Sequence, residues 1–317
     1  MSPRRARVLR AFAWRGLLAA LLCVAASGAM PGPARAAAQE PVTPVLPTHT
    51  SPPRVALGEA LFGDPRLSGS GRLSCASCHD IDRNGASSRR ADTGDDGSLH
   101  RFNTPTLFNA VHSFRFNWRG DRPDLDAQIA ASLRAPAFLG ADPQAVAQRL
   151  HEDPKLRRLA AQAYGRALDA DMLVDALAEL QRSLVTPGGR FDRWLQGDAS
   201  ALDAREIRGY HTFKRIGCVS CHQGMNLGGN LYQQSGVLQP IAQPHVGRLR
   251  VPSLRNVAVT APYFHDGSAP TLADAVRRMG SAQLGLELPA TDVEEIVAFL
   301  RTLTGHYRGR PLQDALP

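Results

Sequence analysis

Beyond residue 28 the sequence has no apolar run approaching the ~20 residues that a membrane-spanning helix needs, so no membrane span is expected in the folded part. An excess of charge of one sign is missing as well. The whole chain has 37 Lys and Arg against 29 Asp and Glu, a formal +8, but six of the basic residues and none of the acids fall in residues 1–36. Without that stretch the balance is 31 against 29, or +2, which excludes the strongly basic face of a nucleic-acid binder. No run alternates polar and apolar residues as a half-buried strand does, and Gly and Pro interrupt whatever is not patterned as helix. A mostly α fold is the expectation.

The first residues read as an export signal. Arg4, Arg5, Arg7, Arg10 and Arg15 form a basic region, residues 16–28 a short apolar stretch, and Ala34-Arg35-Ala36 a small-residue cleavage pattern. The apolar stretch is too short for a comfortable transmembrane anchor, so residues 1–36 are assigned to a signal peptide and the rest of the chain to the periplasm. Cys23 lacks the small residues that precede a lipidation site and is expected to leave with the leader. Residues 37–53, rich in Pro, Ala and Thr, are expected to form a disordered arm.

Only Cys75, Cys78, Cys218 and Cys221 then remain. Four cysteines in an exported chain first suggest two disulfides, but the spacing points elsewhere. The strings are Cys75-Ala-Ser-Cys78-His79 and Cys218-Val-Ser-Cys221-His222. A c-type haem needs two thiols to reach its vinyl groups and an imidazole on the same turn for the iron, and each string supplies all three. A zinc half-site does not require His directly after the second Cys, and a thioredoxin-like redox pair needs a βαβ context that is absent. Two covalently bound haem c groups are therefore expected, with His79 and His222 as axial ligands of the iron.

A helical pattern precedes each string, over residues 54–63 and 203–216, the second with Asp203 and Glu206 as a capping box. Further helices are predicted over 143–151 with Asp142 as cap, 155–167, 172–185, 271–279, and 291–303 with a Thr291–Glu294 box. The pattern reads as a duplicated unit: one cytochrome c-like domain over 54–190 and a second over 191–317.

At this point the sequence resembles the bacterial dihaem cytochrome c peroxidases and the related methylamine-utilisation dihaem enzymes, which oxidise another protein. The likeness rests on Asn103-Thr-Pro-Thr-Leu-Phe-Asn109, on Trp118-Arg-Gly-Asp-Arg122 and on the second haem string. It continues through Arg250-Val-Pro-Ser-Leu-Arg-Asn256, Thr260-Ala-Pro-Tyr-Phe-His-Asp-Gly267 and Ala275-Val-Arg-Arg-Met279. The resemblance implies two tandem domains with haems near their interface. Peroxide would react at the N-terminal haem held by His79, and the C-terminal haem held by His222 would accept electrons. It places Trp118 between the haems as a charge relay, an ordinary core Trp being the alternative. Gln128 and His265 fall among its active-site positions, His265 being equally readable as a structural histidine, and Tyr263 packs near the haems.

Met279 matches the sixth ligand of the C-terminal haem, and a thioether raises the reduction potential as an electron-storing haem requires. Met225 lies on the proximal side, and packing with Leu272 and Val276 is the other reading of Met279. Asn103, Thr260 and Pro262 match a calcium site, with hard oxygen ligands that waters would complete.

Two positions depart from the pattern. Ten residues beyond Gln128 the peroxidases carry a catalytic Glu; here the position is Phe138, with Leu133, Pro136, Leu139 and Gly140 in register. Asp121 and Asp142 are the nearby carboxylates that a loop would have to bring in. Where classical peroxidases hold a distal His, this chain has Asp95, with His100 five residues later and His112 and His151 as weaker candidates expected at the surface. Asp95, His100, water or nothing at all are the readings for that iron.

The resemblance implies three functions. The first is reduction of hydrogen peroxide with electrons from a small donor protein, a cytochrome c or a cupredoxin. The second is oxidation of Trp or Tyr in a partner protein, which Phe138 and the missing distal His favour and Met279 opposes. The third is a non-enzymatic dihaem electron carrier or redox sensor closed by His100. Homodimers occur among similar proteins, although no segment here reads as an interface.

Overall fold

The computed structural model describes residues 40–242 and 246–314. The signal peptide expected over 1–36 lies outside the described residues. The first group of helices is α1 (Pro52–Phe62), α2 (Leu125–Arg134), α3 (Pro143–Leu150), α4 (Pro154–Tyr164) and α5 (Ala170–Ser183). The second is α6 (Arg190–Leu195), α7 (Ala204–Arg215), α8 (Leu272–Met279) and α9 (Ala290–Arg301). Among the described residues the strands are short: β1 (Tyr232–Gln234) pairs antiparallel with β2 (Arg248–Arg250), and β3 (His306–Tyr307) with β4 (Arg310–Pro311). The mostly α expectation holds.

Helix starts follow their caps. The carboxylates of Asp142, Asp153 and Asp169 accept backbone N–H groups at the starts of α3, α4 and α5, and Pro opens α3 and α4, where a missing N–H costs nothing. The Asp203–Glu206 box closes α7 in both directions at 2.8 Å. The box expected at Thr291 does not form. Pro289 holds the cap position of α9, and Glu294 instead pairs with Arg205 at 2.8 Å. Two helices escaped the sequence reading. One is α2, capped by Asp124 and burying Leu125, Ile129 and Leu133; the other is the single turn and a half of α6.

Two apolar cores result. Leu57, Leu61, Leu133, Leu173 and Leu177 centre the first, on α1, α2 and α5. Phe191, Tyr210, Phe213, Ile296 and Phe299 centre the second, on α6, α7 and α9. The helix leading into each haem string crosses its partner at a glycine. A Cβ on Gly58 of α1 would run into the Ala176 carbonyl of α5, and one on Gly209 of α7 into the Glu295 carbonyl of α9.

The disordered arm is a misreading for its described part, residues 40–53. Val42 and Val45 are 1% and 2% exposed, and Val42 sits in the second core. Side chains satisfy the segment's polar groups: Asp192 accepts the Val45 N–H at 3.3 Å, and Glu179 accepts the Ser51 N–H at 2.8 Å. Glu40 is bound by Tyr210 and Lys214. Pro- and Thr-rich composition predicted disorder, but two valines and a set of waiting acceptors outweigh it. The C-terminal end does the reverse. Leu312 is buried in the first core, and Tyr307 lies edge-on to Phe108 at 5.0 Å.

Candidate functional site

Each Cys-x-x-Cys-His string is wound as one tight turn, over Cys75–Ser77 and Cys218–Ser220. The His N–H closes each turn onto the first Cys carbonyl, His79 to Cys75 and His222 to Cys218, both at 3.0 Å. The following loop then folds back beneath the imidazole. His79 Nδ1 donates to the Gly85 carbonyl at 2.9 Å and His222 Nδ1 to the Leu227 carbonyl at 3.0 Å. A carbonyl can only accept, so the proton is on Nδ1 and the Nε2 lone pair is the one available to a metal. Burial lowers the pKa of both rings, that of His222 to about 4, and both are neutral at pH 7 as ligation requires.

The four cysteines form no disulfide. Burial pushes the thiols of Cys75 and Cys78 up to about 12 and that of Cys218 to about 11, away from the thiolate that zinc would take. Among the described residues no three of His, Cys, Asp and Glu gather into a metal shell.

Both strings open into one cavity. It is walled largely by aliphatic and aromatic side chains, carries Arg101, Arg115 and Arg250, and has no Asp or Glu among the described residues of its lining. Arg250 is half-buried, and desolvation lowers its guanidinium to about 10. Its Nε donates to the Asn117 carbonyl at 3.1 Å. An apolar slot with unmatched arginines, free thiols and neutral imidazoles fits a c-type haem, whose ring is apolar and whose propionates are anionic. The sequence reading missed these arginines, although Arg250 opens one of the quoted blocks.

Met279, the last residue of α8, reaches the same cavity. It does not join Leu272 and Val276 in the second core but packs beside Ile241, Ala282 and Phe264. Met225 is absent from the lining, and its carbonyl accepts from Arg255 at 2.8 Å. Trp118 lines the cavity with its indole N–H on the Asn103 carbonyl at 2.8 Å and its ring 6.3 Å from His265. His265 is 3% exposed, and its carbonyl accepts the Asn103 N–H at 2.8 Å. Tyr263 is also buried on this wall. Gln128 donates to Ser132 at 3.0 Å. Asn103, Thr260 and Pro262 all border the cavity; the Asn103 amide nitrogen donates to the Arg89 carbonyl at 2.8 Å, which leaves its carboxamide oxygen for a cation.

On the far side of the first string the candidates separate. Asp95 is spent on Ser70, whose N–H it accepts at 2.8 Å and whose hydroxyl it also binds, and it does not line the cavity. His100 does line it. One ring nitrogen is held by the Ala137 backbone, while Nε2 is buried without a hydrogen-bond partner among the described residues. Phe138 meets that ring edge-on, with centroids 4.8 Å apart at 73°. His112 is not the surface residue expected: it is half-buried and bonded to the Leu46 backbone, off the cavity. His151 is exposed.

The family pattern of di-haem cytochrome c peroxidase matches residues 52–200. Cytochrome c551 peroxidase of Nitrosomonas europaea is 38% identical over 285 residues, 85% of each chain. The chain belongs to the di-haem cytochrome c peroxidase family. Cytochrome c peroxidase Ccp of Escherichia coli is also 38% identical, over 84% of this chain but only 62% of its own length, so the chain spans less than two thirds of that relative. Among solved structures, a MauG-like protein associated with microbial copper homeostasis superposes with a TM-score of 0.73 at 27% identity, covering 83% of this chain and 93% of the other.

As a member of this family the protein is a peroxidase-like oxidoreductase with two haems. Within the family frame, no carboxylate takes over at Phe138. Asp142 caps α3, Asp121 is bound by the Asn117 amide at 2.5 Å, and neither reaches the cavity. No helix among the described residues is long and apolar enough to cross a membrane.

Proposed function

We propose that this is a periplasmic dihaem c-type oxidoreductase that reduces hydrogen peroxide to water with electrons from a small redox protein, a cytochrome c or a cupredoxin. The observation that carries the reading is one acid-free cavity that both Cys-x-x-Cys-His strings, Met279 and Trp118 share. Residues 54–190 and 191–317 form the two tandem cytochrome c-like domains; two apolar cores drawn mainly from these two stretches support the reading, with Val42 packed into the second core and Leu312 into the first.

Once bound, the two haems supply one-electron redox chemistry and an iron site for peroxide. Cys75 and Cys78 would tether the first, with the His79 nitrogen as the group that would hold its iron. Cys218 and Cys221 would tether the second, with the His222 nitrogen and the Met279 thioether as the groups that would hold its iron. The thioether favours the reduced state, suiting that site to receive electrons. Trp118, hydrogen-bonded to the Asn103 carbonyl, is the conductive ring between the two sites, and Arg101, Arg115 and Arg250 offset the propionate charge. Each turnover takes one H2O2, two protons and two electrons to two H2O, so two donor proteins are oxidised once each. Asn103, Thr260 and Pro262 offer oxygen atoms to a calcium ion bordering the same cavity.

The test is to purify the exported holoprotein, record optical and EPR spectra, and add one equivalent of hydrogen peroxide followed by reduced donor. Oxidation of two donor equivalents per peroxide is the expected result. Two low-spin sites that ignore peroxide even after half-reduction would sink the enzyme reading and leave an electron carrier or sensor.

A second reading has its own observation. Phe138 leaves the cavity without a carboxylate to move protons between peroxide oxygens, which favours oxidation of a Trp or Tyr on a partner protein over rapid peroxide turnover. Peroxide consumed without donor oxidation, with a modified aromatic residue on a co-purified exported protein, is its signature.

A further inference from the structure

We infer that Phe138 is a positioning residue: a latch that holds His100 as the sixth ligand of the iron carried by His79. The inference rests on the proposed placement of the first haem at His79, and deepens it.

His100 ends a small loop closed by the Thr93–Leu99 bridge, with its N–H on the Asp92 carbonyl at 2.7 Å. Asp92 is itself fixed, 1% exposed and bound by Ser87, Arg89 and Thr104. One nitrogen of the His100 ring is held by the Ala137 backbone. The other is buried at the cavity with no partner among the described residues, and a buried lone pair of this kind calls for one. His79 is close enough for the charge on His100 to act on it, and its own Nδ1 is tied back to Gly85. An iron at His79 therefore meets a second free imidazole nitrogen in the same cavity.

The turn after α2 braces this ring. Its carbonyls at Pro136 and Phe138 accept the N–H groups of Asp96 at 3.2 Å and Asp95 at 2.9 Å, which ties the 92–100 loop to the 135–140 turn. The Phe138 ring then closes on the edge of His100. Phe138 is 42% exposed, with a face free to swing outward. The two departures from the family pattern thus form one unit: the ligand has moved from position 95 to position 100, and the side chain at 138 packs on it. No bond is made or broken when the latch opens except the His100–iron coordination that an incoming small ligand replaces.

The test uses the ferric holoprotein and cyanide as probe. The wild type is expected to be low-spin at both haems by EPR, with slow cyanide binding at the first. Phe138→Ala should speed cyanide binding roughly three- to tenfold, the factor corresponding to loss of one edge-on aromatic contact, with the low-spin signal at the first haem retained. Phe138→Tyr should stay slow. His100→Ala should turn the first haem high-spin and bind cyanide fast, and adding Phe138→Ala to it should give no further gain. A wild type already high-spin at the first haem, or unaltered by His100→Ala, overturns the ligation itself. A high-spin His100→Ala alongside a Phe138→Ala that binds cyanide at the wild-type rate overturns the latch alone. Thioether attachment of both haems, read by mass, fails only if the dihaem reading fails; should Phe138→Ala not accumulate, Phe138→Leu is the replacement, with an intermediate rate expected.

Discussion

Arg255 and Asp192 form a 2.7 Å ion pair with side chains 2% and 1% exposed. Burial raises the pKa of Asp192 despite Arg255, and burial lowers that of Arg255 despite Asp192, so each charge keeps an unreturned desolvation cost. Such a pair adds little net stability, yet removing one partner is expensive. The guanidinium also holds the carbonyls of Met225, three residues after His222, at 2.8 Å and of Thr43 at 2.9 Å. Asp192→Ala leaves a cation that cannot shed its proton, and about 3–5 kcal/mol of stability should be lost. At roughly 2 °C per kcal/mol for a chain of this size that is a fall of about 5–10 °C in Tm. Arg255→Met should cost less, because Asp192 can be neutralised by taking up a proton. With its folded pKa above the unfolded value, that variant grows more stable as pH falls and loses the gain as pH rises through the folded pKa. Asp192→Leu combined with Arg255→Met should recover most of the loss. Guanidinium unfolding of the holoprotein, followed by far-UV circular dichroism, reads all three variants. An Asp192→Ala cost below about 1 kcal/mol, or a double variant no better than the single, would refute the reasoning.

Other expectations are more compact. Met279→Leu should lower the reduction potential of the second haem in a potentiometric titration; an unchanged potential and spectrum would remove Met279 from the iron. Trp118→Phe should slow donor-driven turnover while leaving the spin state of both haems unaltered, and equal turnover would mean Trp118 only packs. Gly209→Ala should cost about 1–3 kcal/mol, since its Cβ meets the Glu295 carbonyl, and unfolding at neutral pH checks it. Burial pushes the Asp64 pKa up, but its hydrogen bonds and ion pair with Arg66 outweigh this and hold it below the usual value. That contribution is present above about pH 4 and lost as pH falls through the lowered pKa, so the destabilisation by Arg66→Ala should shrink in acid. A penalty equal at pH 7 and pH 3 would contradict it.

The haem strings were legible because covalent attachment imposes both residue types and spacing, and α3 and α7 because the Asp142 cap with Pro143 and the Asp203–Glu206 box are local signals, whereas α4 and α5 showed through their apolar spacing. What the sequence could not display were partners on the main chain. The carbonyls of Gly85 and Leu227 that set the imidazole tautomers have no side-chain signature, nor does the Ala137 backbone that steadies His100. Asp95 and His100 stayed indistinguishable on paper, and it is Ser70, 25 residues from Asp95, that separates them by occupying the carboxylate. Composition misled over residues 40–53, where two buried valines and distant acceptors decide the outcome.

The crossed ends of the chain bear on how a redox change can be expressed. Val42, from the first described residues, is sealed in the second core, and Leu312, from the last, in the first. Like two hands each holding the other's sleeve, the halves cannot swing apart on a hinge without unthreading both ends. This packing favours adjustment within short segments inside the clasp over hinge motion, the hydrogen-bonded segments at 92–100 and 135–140 among them. Clipping either end should loosen this restraint: trimming the chain back to residue 51, or deleting 306–317, turns a stiff body into one whose halves can part around the haems.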